Sequence, residues 1–358
     1  KAYVNGLTNV VLFPACCTLV QKGRGLIMRL LDAKLSEDGC STELLSVIKT
    51  VLAGCKKISN ILSSGDFSYI PLDSFGVQQV NEKEPLNTIS NNILKDLLVD
   101  LCVVKAVASK EEEQILSINE EGKFLVSFDP LDGYSNVEVN GPVGTIFSIT
   151  SSTDWLSSFN EQQFNKPGEL IRAAGFVLYG PATSLVLTTG TGTHIYTFSR
   201  EFGDFVLWRE NIAIPKDSRE FSVNLARQRY WPENVKKYVK HFTDGRYGVG
   251  RKDYSLRYVG SFVGEVYRIL CRGGVFLYPQ EGTRRQYLGN GKLKLLYKVM
   301  PMAFIAEQAN GLAYADQMRV LDIVPNSVKQ RAPLIIGSKN EVERYFKNEK
   351  QGKSNAQE

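Results

Sequence analysis

The chain has 358 residues, a formal net charge of +5 and 43% hydrophobic residues, enough apolar content for two domains or lobes with a buried core. Acidic and basic residues are mixed throughout, with no dense Lys/Arg stripe and no apolar run of about 18 residues, so neither nucleic-acid binding nor a membrane span is expected. The six cysteines (Cys16, Cys17, Cys40, Cys55, Cys102 and Cys271) form no CxxC pair and read as reduced thiols; with only His194 and His241, neither a histidine-centred mechanism nor a His-rich metal site is expected.

In chain order, "NVVLFPACCTLV" reads as a strand, a buried arm or the end of a targeting segment. Residues 22–62 read as helices, the best of them "ELLSVIKTVLAGCKKISNIL", with Ser41 and Thr42 as caps. "PLNTISNNILKDLLVDL" predicts a second amphipathic helix opened by Pro85. "SKEEEQILSINEEGK" reads as an acidic, exposed connection. Strands are expected in "KFLVSF", "VGTIFSIT", "AAGFVLYG", "TSLVLTT", "HIYTFS" and Asp204 to Trp208, with "SSTDWLSSFNEQQFNKPGEL" as a polar surface loop.

A break at "IPKDSRE" divides the chain, so residues 1–214 and 215–346 are expected as two domains ahead of a polar tail, 347–358. In the second, "WPENVKKYVKHF" predicts a helix and "SLRYVGSFVGEVYRILCRGG" a strand passing into a helix. "VFLYP" and "KLKLLY" read as strands, and "VMPMAFIAEQANG" as a helix ended by Gly311. The alternation predicts an α/β fold with mixed sheets.

The chemistry concentrates in "KFLVSFDPLDGYSNVEVNGPVGTIFSI". Asp129 and Asp132 follow an apolar strand, Pro130 fixes φ between them, and Gly133 permits close backbone approach. The amides of Gly133, Tyr134 and Ser135 are placed to cradle an anion. Two carboxylates held this close repel each other unless a cation lies between them, and Mg²⁺ bridging to a phosphate is the usual answer.

These motifs, with "YVGS", "GGVFLYP", "GNGKLKLLY", "PMAFIAEQANG" and "RAPLIIGS", closely resemble the fructose-1,6-bisphosphatase family over about Ser41 to Phe346. The resemblance implies the layered α-β-α-β-α sugar-phosphatase fold and a homo-oligomer. It implies that a sugar phosphate is held by residues matching Asn224, Arg257, Tyr258, Tyr278 and Lys292, with Arg257 reaching in from a neighbouring subunit. Arg227 stands where the family has a Tyr. An Arg, a Lys and tyrosine hydroxyls make a sensible anion pocket. The family's nucleotide pocket is poorly matched, with Lys123-Phe124 and Thr150-Ser151 at its positions.

The family's metal cluster is matched only in part. Asp129, Asp132 and Glu111 remain, whereas Asn81 and Asn87 stand for aspartates and Lys110 and Lys298 for glutamates; a one-residue slip offers Glu111-Glu112 for the Glu pair. Each change replaces an anion by a neutral or cationic group, and the two lysines are placed to pair with Asp129 and Asp132 in place of ions. The expectation is therefore a catalytically silent or very weak homologue with a scaffolding or sugar-phosphate-sensing role, with no favoured cofactor, acting as a homo-oligomer or a subunit of a larger assembly. The alternative is an active fructose-1,6-bisphosphate 1-phosphatase using Mg²⁺ or Mn²⁺ at Glu111, Asp129 and Asp132. Cytosol and plastid stroma both stay open as compartments, as does a presequence ahead of Lys1.

Overall fold

The computed structural model describes residues 10–13, 18–21, 27–64, 85–152, 158–248, 251–281 and 291–354. The expectations placed on Asn81 and on Cys16 and Cys17 lie outside these residues. β1 (Val10–Phe13), β2 (Thr18–Gln21) and β3 (Ile27–Arg29) form a three-stranded antiparallel sheet. Of the helical expectation for residues 22–62, residues 22–26 lie outside the described residues; Ile27 to Arg29 pair with β2 as a strand, and helix begins at Leu31. α1 (Leu31–Glu37) is followed by α2 (Thr42–Ser63), whose first turn is closed by the Ser41 hydroxyl accepting from the Leu44 amide at 3.2 Å. α3 (Leu86–Val99) starts directly after Pro85.

Eight strands then build one sheet: β4 (Val104–Ser109), β5 (Leu116–Ser117), β6 (Phe124–Asp132), β7 (Val143–Ser151), β8 (Ile171–Tyr179), β9 (Thr183–Thr188), β10 (His194–Ser199) and β11 (Asp204–Arg209). Their order is β11-β10-β9-β8-β7-β6-β4-β5, and β4 with β6 is its parallel pair. The remaining strands are β12 (Glu220–Ser222), β13 (Ser255–Leu256), β14 (Val275–Tyr278), β15 (Leu293–Lys294), β16 (Leu312–Ala315), β17 (Met318–Arg319), β18 (Arg331–Ala332) and β19 (Leu334–Gly337). All but β15 and β18, which pair with each other, form a second sheet ordered β13-β12-β14-β19-β16-β17. The helices of this half are α4 (Glu233–Asp244), α5 (Phe262–Arg272), α6 (Met300–Gln308) and α7 (Lys339–Ser354).

The two-residue period of the strands sorts their side chains between layers. From the first sheet, Val126 and Phe147 pack with Val47, Ile48 and Val51 of α2 and Leu94 and Leu98 of α3, while Ile146, Phe176 and Val186 pack with Val263 and Val266 of α5 and Met302 and Phe304 of α6. Phe276, Leu334 and Ile336 of the second sheet join that same central cluster, whereas Val275, Leu277 and Ile335 face Tyr238 and Phe242 of α4 and Val342 of α7. The layers therefore run α-β-α-β-α. Both sheets are covered on two faces, which accounts for the unbroken burial of β6 from Phe124 to Asp132.

Several local expectations need correction. "KLKLLY" is a strand only at Leu293–Lys294; Leu295–Val299 then winds as a wide π turn into α6, burying Leu295, Leu296, Tyr297 and Val299. The supposed surface loop after residue 150 includes the end of β7 and two short turns, Glu161–Phe164 and Gly168–Leu170, the first of which buries Gln163 and Phe164. The acidic connection contains β5, and the polar tail is helical as far as Ser354.

Candidate active site

Asp129 and Asp132 are three residues apart on a strand, a spacing that would normally aim them at opposite faces. The register against β7 shifts between them, with Asp129 opposite Ile146 and Asp132 opposite Gly144. That bulge inserts one extra residue and turns both carboxylates to the same side. The Pro130 carbonyl accepts from the Thr145 hydroxyl at 2.8 Å, which fixes the bulge. Gly133 then adopts φ +76° and leads into the turn Tyr134–Asn136, whose Asn136 amide side chain donates to the carbonyls of Pro142 and Val259 at 3.2 Å. A non-glycine residue at that φ would be strained.

Both aspartates are buried. Lys298, presented by the π turn ahead of α6, places Nζ 2.9 Å from Asp129 Oδ2 and 2.5 Å from Asp132 Oδ1. Asp132 Oδ2 accepts from the amides of Phe262 and Val263, both at 3.1 Å, at the start of α5. Lys110 Nζ lies 3.1 Å from Asp129 Oδ1 and 2.8 Å from Glu111 Oε1, and Asn87 donates to Glu111 Oε2 at 3.0 Å. Burial alone would raise the Asp132 carboxyl, but Lys298 and the Val263 amide hold it below the usual carboxylate range. Glu111 is likewise held low against its burial, chiefly by Lys110. Burial opposes the charge on Lys298 as well, yet the two aspartates keep it raised.

The neighbouring Glu112 is turned away, toward Lys95 at 2.5 Å and Asn91 at 2.8 Å, so the slipped Glu pair is not assembled at the aspartates. Among the described residues no three His, Cys, Asp or Glu side chains gather as a metal cage. A divalent cation needs several oxygens directed at one point. Here the oxygens of Asp129 and Asp132 are directed at ammonium groups and amides, so the donor set in this arrangement does not fit such an ion.

The second cluster is a cavity of about 280 Å³ whose lining includes Asn224, Arg227, Trp231, Tyr278, Glu281 and Lys292. Asn224 and Arg227 come from the chain after β12, Tyr278 ends β14, and Lys292 precedes β15. Arg227 Nε donates to Glu281 Oε1 at 2.8 Å and its Nη2 to Glu281 Oε2, while Lys292 Nζ lies 3.1 Å from Glu281 Oε1. Tyr258 reaches Asn224 at the edge of this group, and Tyr278 lies close enough to Lys298 to feel its charge, which sets the two clusters side by side. Arg257 is not in the cavity. Its side chain is half exposed, with Nε 3.6 Å from Glu220 Oε1.

Sequence reasoning missed Glu281, the α5 amides that hold Asp132, and the bulge. Nothing in "PQEG" marks Glu281 as a pocket residue, whereas the Ser261 cap before α5 is a readable helix start. A larger cavity, about 840 Å³, lies elsewhere and is lined by Ser41, Lys123, Phe124, Ser151, Arg172 and Gln308 among others.

Residues 28–210 match the fructose-1-6-bisphosphatase N-terminal domain and residues 214–350 its C-terminal domain. The class 1 fructose-1,6-bisphosphatase of Pseudoalteromonas atlantica is 45% identical over 318 residues, covering 88% of this chain and 98% of that protein. Those of Hydrogenovibrio crunogenus and Colwellia psychrerythraea are 43% and 41% identical, again covering 88% of this chain and 97% and 98% of their own lengths. The crystal structure of Leishmania major fructose-1,6-bisphosphatase in holo form superposes with a TM-score of 0.78 at 29% identity, covering 90% of this chain and 99% of that one.

These relatives overturn the expectation of a silent homologue with a scaffolding or sensing role. Chains that keep 41–45% of positions over most of this sequence carry the enzyme's name, and the better-supported reading is the alternative, an active phosphatase. The expectation of no favoured cofactor falls with it, in favour of the divalent cation that the resemblance implies, Mg²⁺ or Mn²⁺. Among the described residues no helix is long and apolar enough to cross a membrane. Two family domains that together run from residue 28 to residue 350, and relatives up to 45% identical across nearly their whole lengths, show that this chain belongs to the fructose-1,6-bisphosphatase family.

Proposed function

We propose that this chain hydrolyses the 1-phosphate of fructose 1,6-bisphosphate with Mg²⁺ or Mn²⁺ as the cofactor, for which Lys298 and Lys110 must first release the carboxylates of Asp129, Asp132 and Glu111. The observation that carries the reading is the 45% identity to a class 1 fructose-1,6-bisphosphatase over 88% of the chain. The geometry supports a division of labour. Asn224, Arg227, Tyr258, Tyr278 and Lys292 bind the phosphate that does not react, and the Gly133–Ser135 turn faces the phosphate that does. Arg257, exposed beside the apolar Leu256, Tyr258 and Val259, serves a neighbouring subunit of a homo-oligomer. The division between residues 1–214 and 215–346 belongs to the same proposal, since the aspartates lie in the first part and the anion pocket in the second.

Asp129, Asp132 and Glu111 are the anionic groups of the site, and Lys298 and Lys110 now hold them. Their contribution that follows from the structure is electrostatic: they keep two ammonium groups beside the place of a transferred phosphoryl group. Removing one such electrostatic contact typically costs about 10²- to 10³-fold in rate. The test is phosphate release from fructose 1,6-bisphosphate by the purified chain at millimolar Mg²⁺ and, separately, Mn²⁺. Substrate-dependent release, with KM raised in Lys292→Ala, supports the reading. Release no faster than background with either ion ends it.

A further inference from the structure

We propose that Glu281 is an internal occupant of the anion pocket, a carboxylate that an incoming sugar phosphate must displace. The inference rests on the reading just given, that this pocket takes the sugar phosphate, and adds how its affinity is set. A guanidinium offers a planar fork that suits carboxylates and phosphates alike. In this pocket the fork is already engaged: Arg227 grips Glu281 through Nε at 2.8 Å and through Nη2, and Lys292 Nζ lies 3.1 Å from the same carboxylate. The Glu281 side chain is only 9% exposed, while those of Arg227 and Lys292 are 24% and 29% exposed. The anion is therefore seated deeper than the cations that hold it.

Glu281 is also not part of the sheet. It lies three residues beyond the end of β14, past Pro279, and takes no part in the β14–β19 ladder that ends at Tyr278. Arg227 has independent support, since its guanidinium stacks 4.5 Å from the centre of the Tyr230 ring. A phosphate that displaces Glu281 thus finds the fork still in place. A carboxylate brings one negative charge and two oxygens; a phosphate monoester brings up to two charges and three oxygens, so the exchange favours the ligand but by less than binding to an open pocket would.

The experiment is calorimetric titration of the full chain with fructose 6-phosphate and with inorganic phosphate at fixed ionic strength. The parent is compared with Glu281→Gln, which is nearly isosteric but uncharged. The expected result is about tenfold tighter binding of both ligands to Glu281→Gln, the size of one partly exposed charge-assisted contact, and loss of that gain in Glu281→Gln/Arg227→Ala. Should Glu281→Gln fail to fold, Glu281→Asp retains the charge but shortens the reach, and about threefold tightening is expected. Unchanged or weaker binding in a folded variant overturns the inference, because a fixed structural counter-ion behaves that way, and so does an absence of binding to parent and variant alike. Turnover is scored separately: tighter binding in Glu281→Gln by a chain that releases no phosphate sinks the proposed activity and leaves this inference standing.

Discussion

Replacing Lys298 by Met removes the ammonium from between Asp129 and Asp132 and leaves a side chain of similar length to fill the π turn. The Lys298 side chain is 14% exposed, Asp129 is fully buried and Asp132 is 4% exposed, so solvent does little to screen what is lost. Breaking a buried pair by removing one partner costs about 3–5 kcal/mol, because the remaining charge is stranded. Here two carboxylates lose a shared partner, although Lys110 still reaches Asp129 and the α5 amides still hold Asp132; about 4 kcal/mol is expected. With about 2.1 cal/mol/K of unfolding entropy per residue, a chain of 358 residues carries about 0.75 kcal/mol/K, so Tm should fall by about 5 °C. The assay is a thermal melt by circular dichroism in chelator at neutral pH. Millimolar Mn²⁺ should then raise the stability of Lys298→Met, by about 2.7 kcal/mol at a hundred times its Kd, and by more than it raises the parent's, where Lys298 competes for the same oxygens. A variant that melts within about 1 °C of the parent in chelator refutes the claim that this ammonium neutralises a buried carboxylate pair.

Three further outcomes follow from other parts of the fold. His194 is buried beside Asp38, and burial and Lys34 together hold its pKa below 6.5 despite the opposing pull of Asp38 and Glu210, with Arg29 and Tyr196 also facing it. Its folded pKa is depressed, so the neutral ring is favoured in the fold: its contribution is complete above about pH 6.5 and is lost as pH falls toward the folded value. Thermal melts between pH 7 and 5.5 should show a shallower decline in His194→Gln than in the parent; identical slopes would contradict this. Burial pushes the Cys55 thiol up to about 12, whereas Cys102 is exposed, so peptide mapping after alkylation of the native chain should find Cys102 labelled and Cys55 labelled only after unfolding. Arg257→Ala should change stability by no more than about 0.5 kcal/mol, since Arg257 is half exposed, stands 3.6 Å from Glu220, and leaves Arg268 and Arg272 still holding that carboxylate. It should, however, raise KM for fructose 1,6-bisphosphate if the proposed oligomer brings it to a neighbour's pocket; an unaltered KM in a chain that sediments as an oligomer removes that role.

The layered architecture was legible because it rests on periodicity and on long motifs. The apolar, β-branched and aromatic runs in "VGTIFSIT" and "VFLYP" and the helical spacing from Glu43 to Leu62 each describe an element that later packs as expected. What failed locally failed for tertiary reasons: Ile27 to Arg29 became a strand by pairing with β2, and "LLYKV" left the strand pattern to wind into α6. In the site, the DPLDG string identified the aspartates, but Pro130 alone did not explain their convergence, which required the register shift against Ile146 and Gly144. Lysines at ligand positions do not by themselves make a protein silent, and agreement with class 1 enzymes along nearly the whole chain outweighs a few side chains. Glu281 was illegible because a Glu after a strand carries no mark of the partners that folding brings to it.

Lys298 and Glu281 perform the same physical task at neighbouring places. The three carboxylates Asp129, Asp132 and Glu111 face the two ammonium groups of Lys110 and Lys298, leaving one formal negative charge, and the amides at the start of α5 offset part of that charge at Asp132. In the anion pocket Arg227 and Lys292 carry two positive charges against the single charge of Glu281. Each cluster is thus close to balanced by groups of the chain itself. A ligand that arrives at either one exchanges with an internal partner, and what it gains in new contacts is reduced by what that partner loses. The affinity of such a site depends on differences between similar interactions. Small changes of charge at Lys298 or Glu281 should therefore alter ligand binding more than the same changes at Arg257, where the side chain stands half in water.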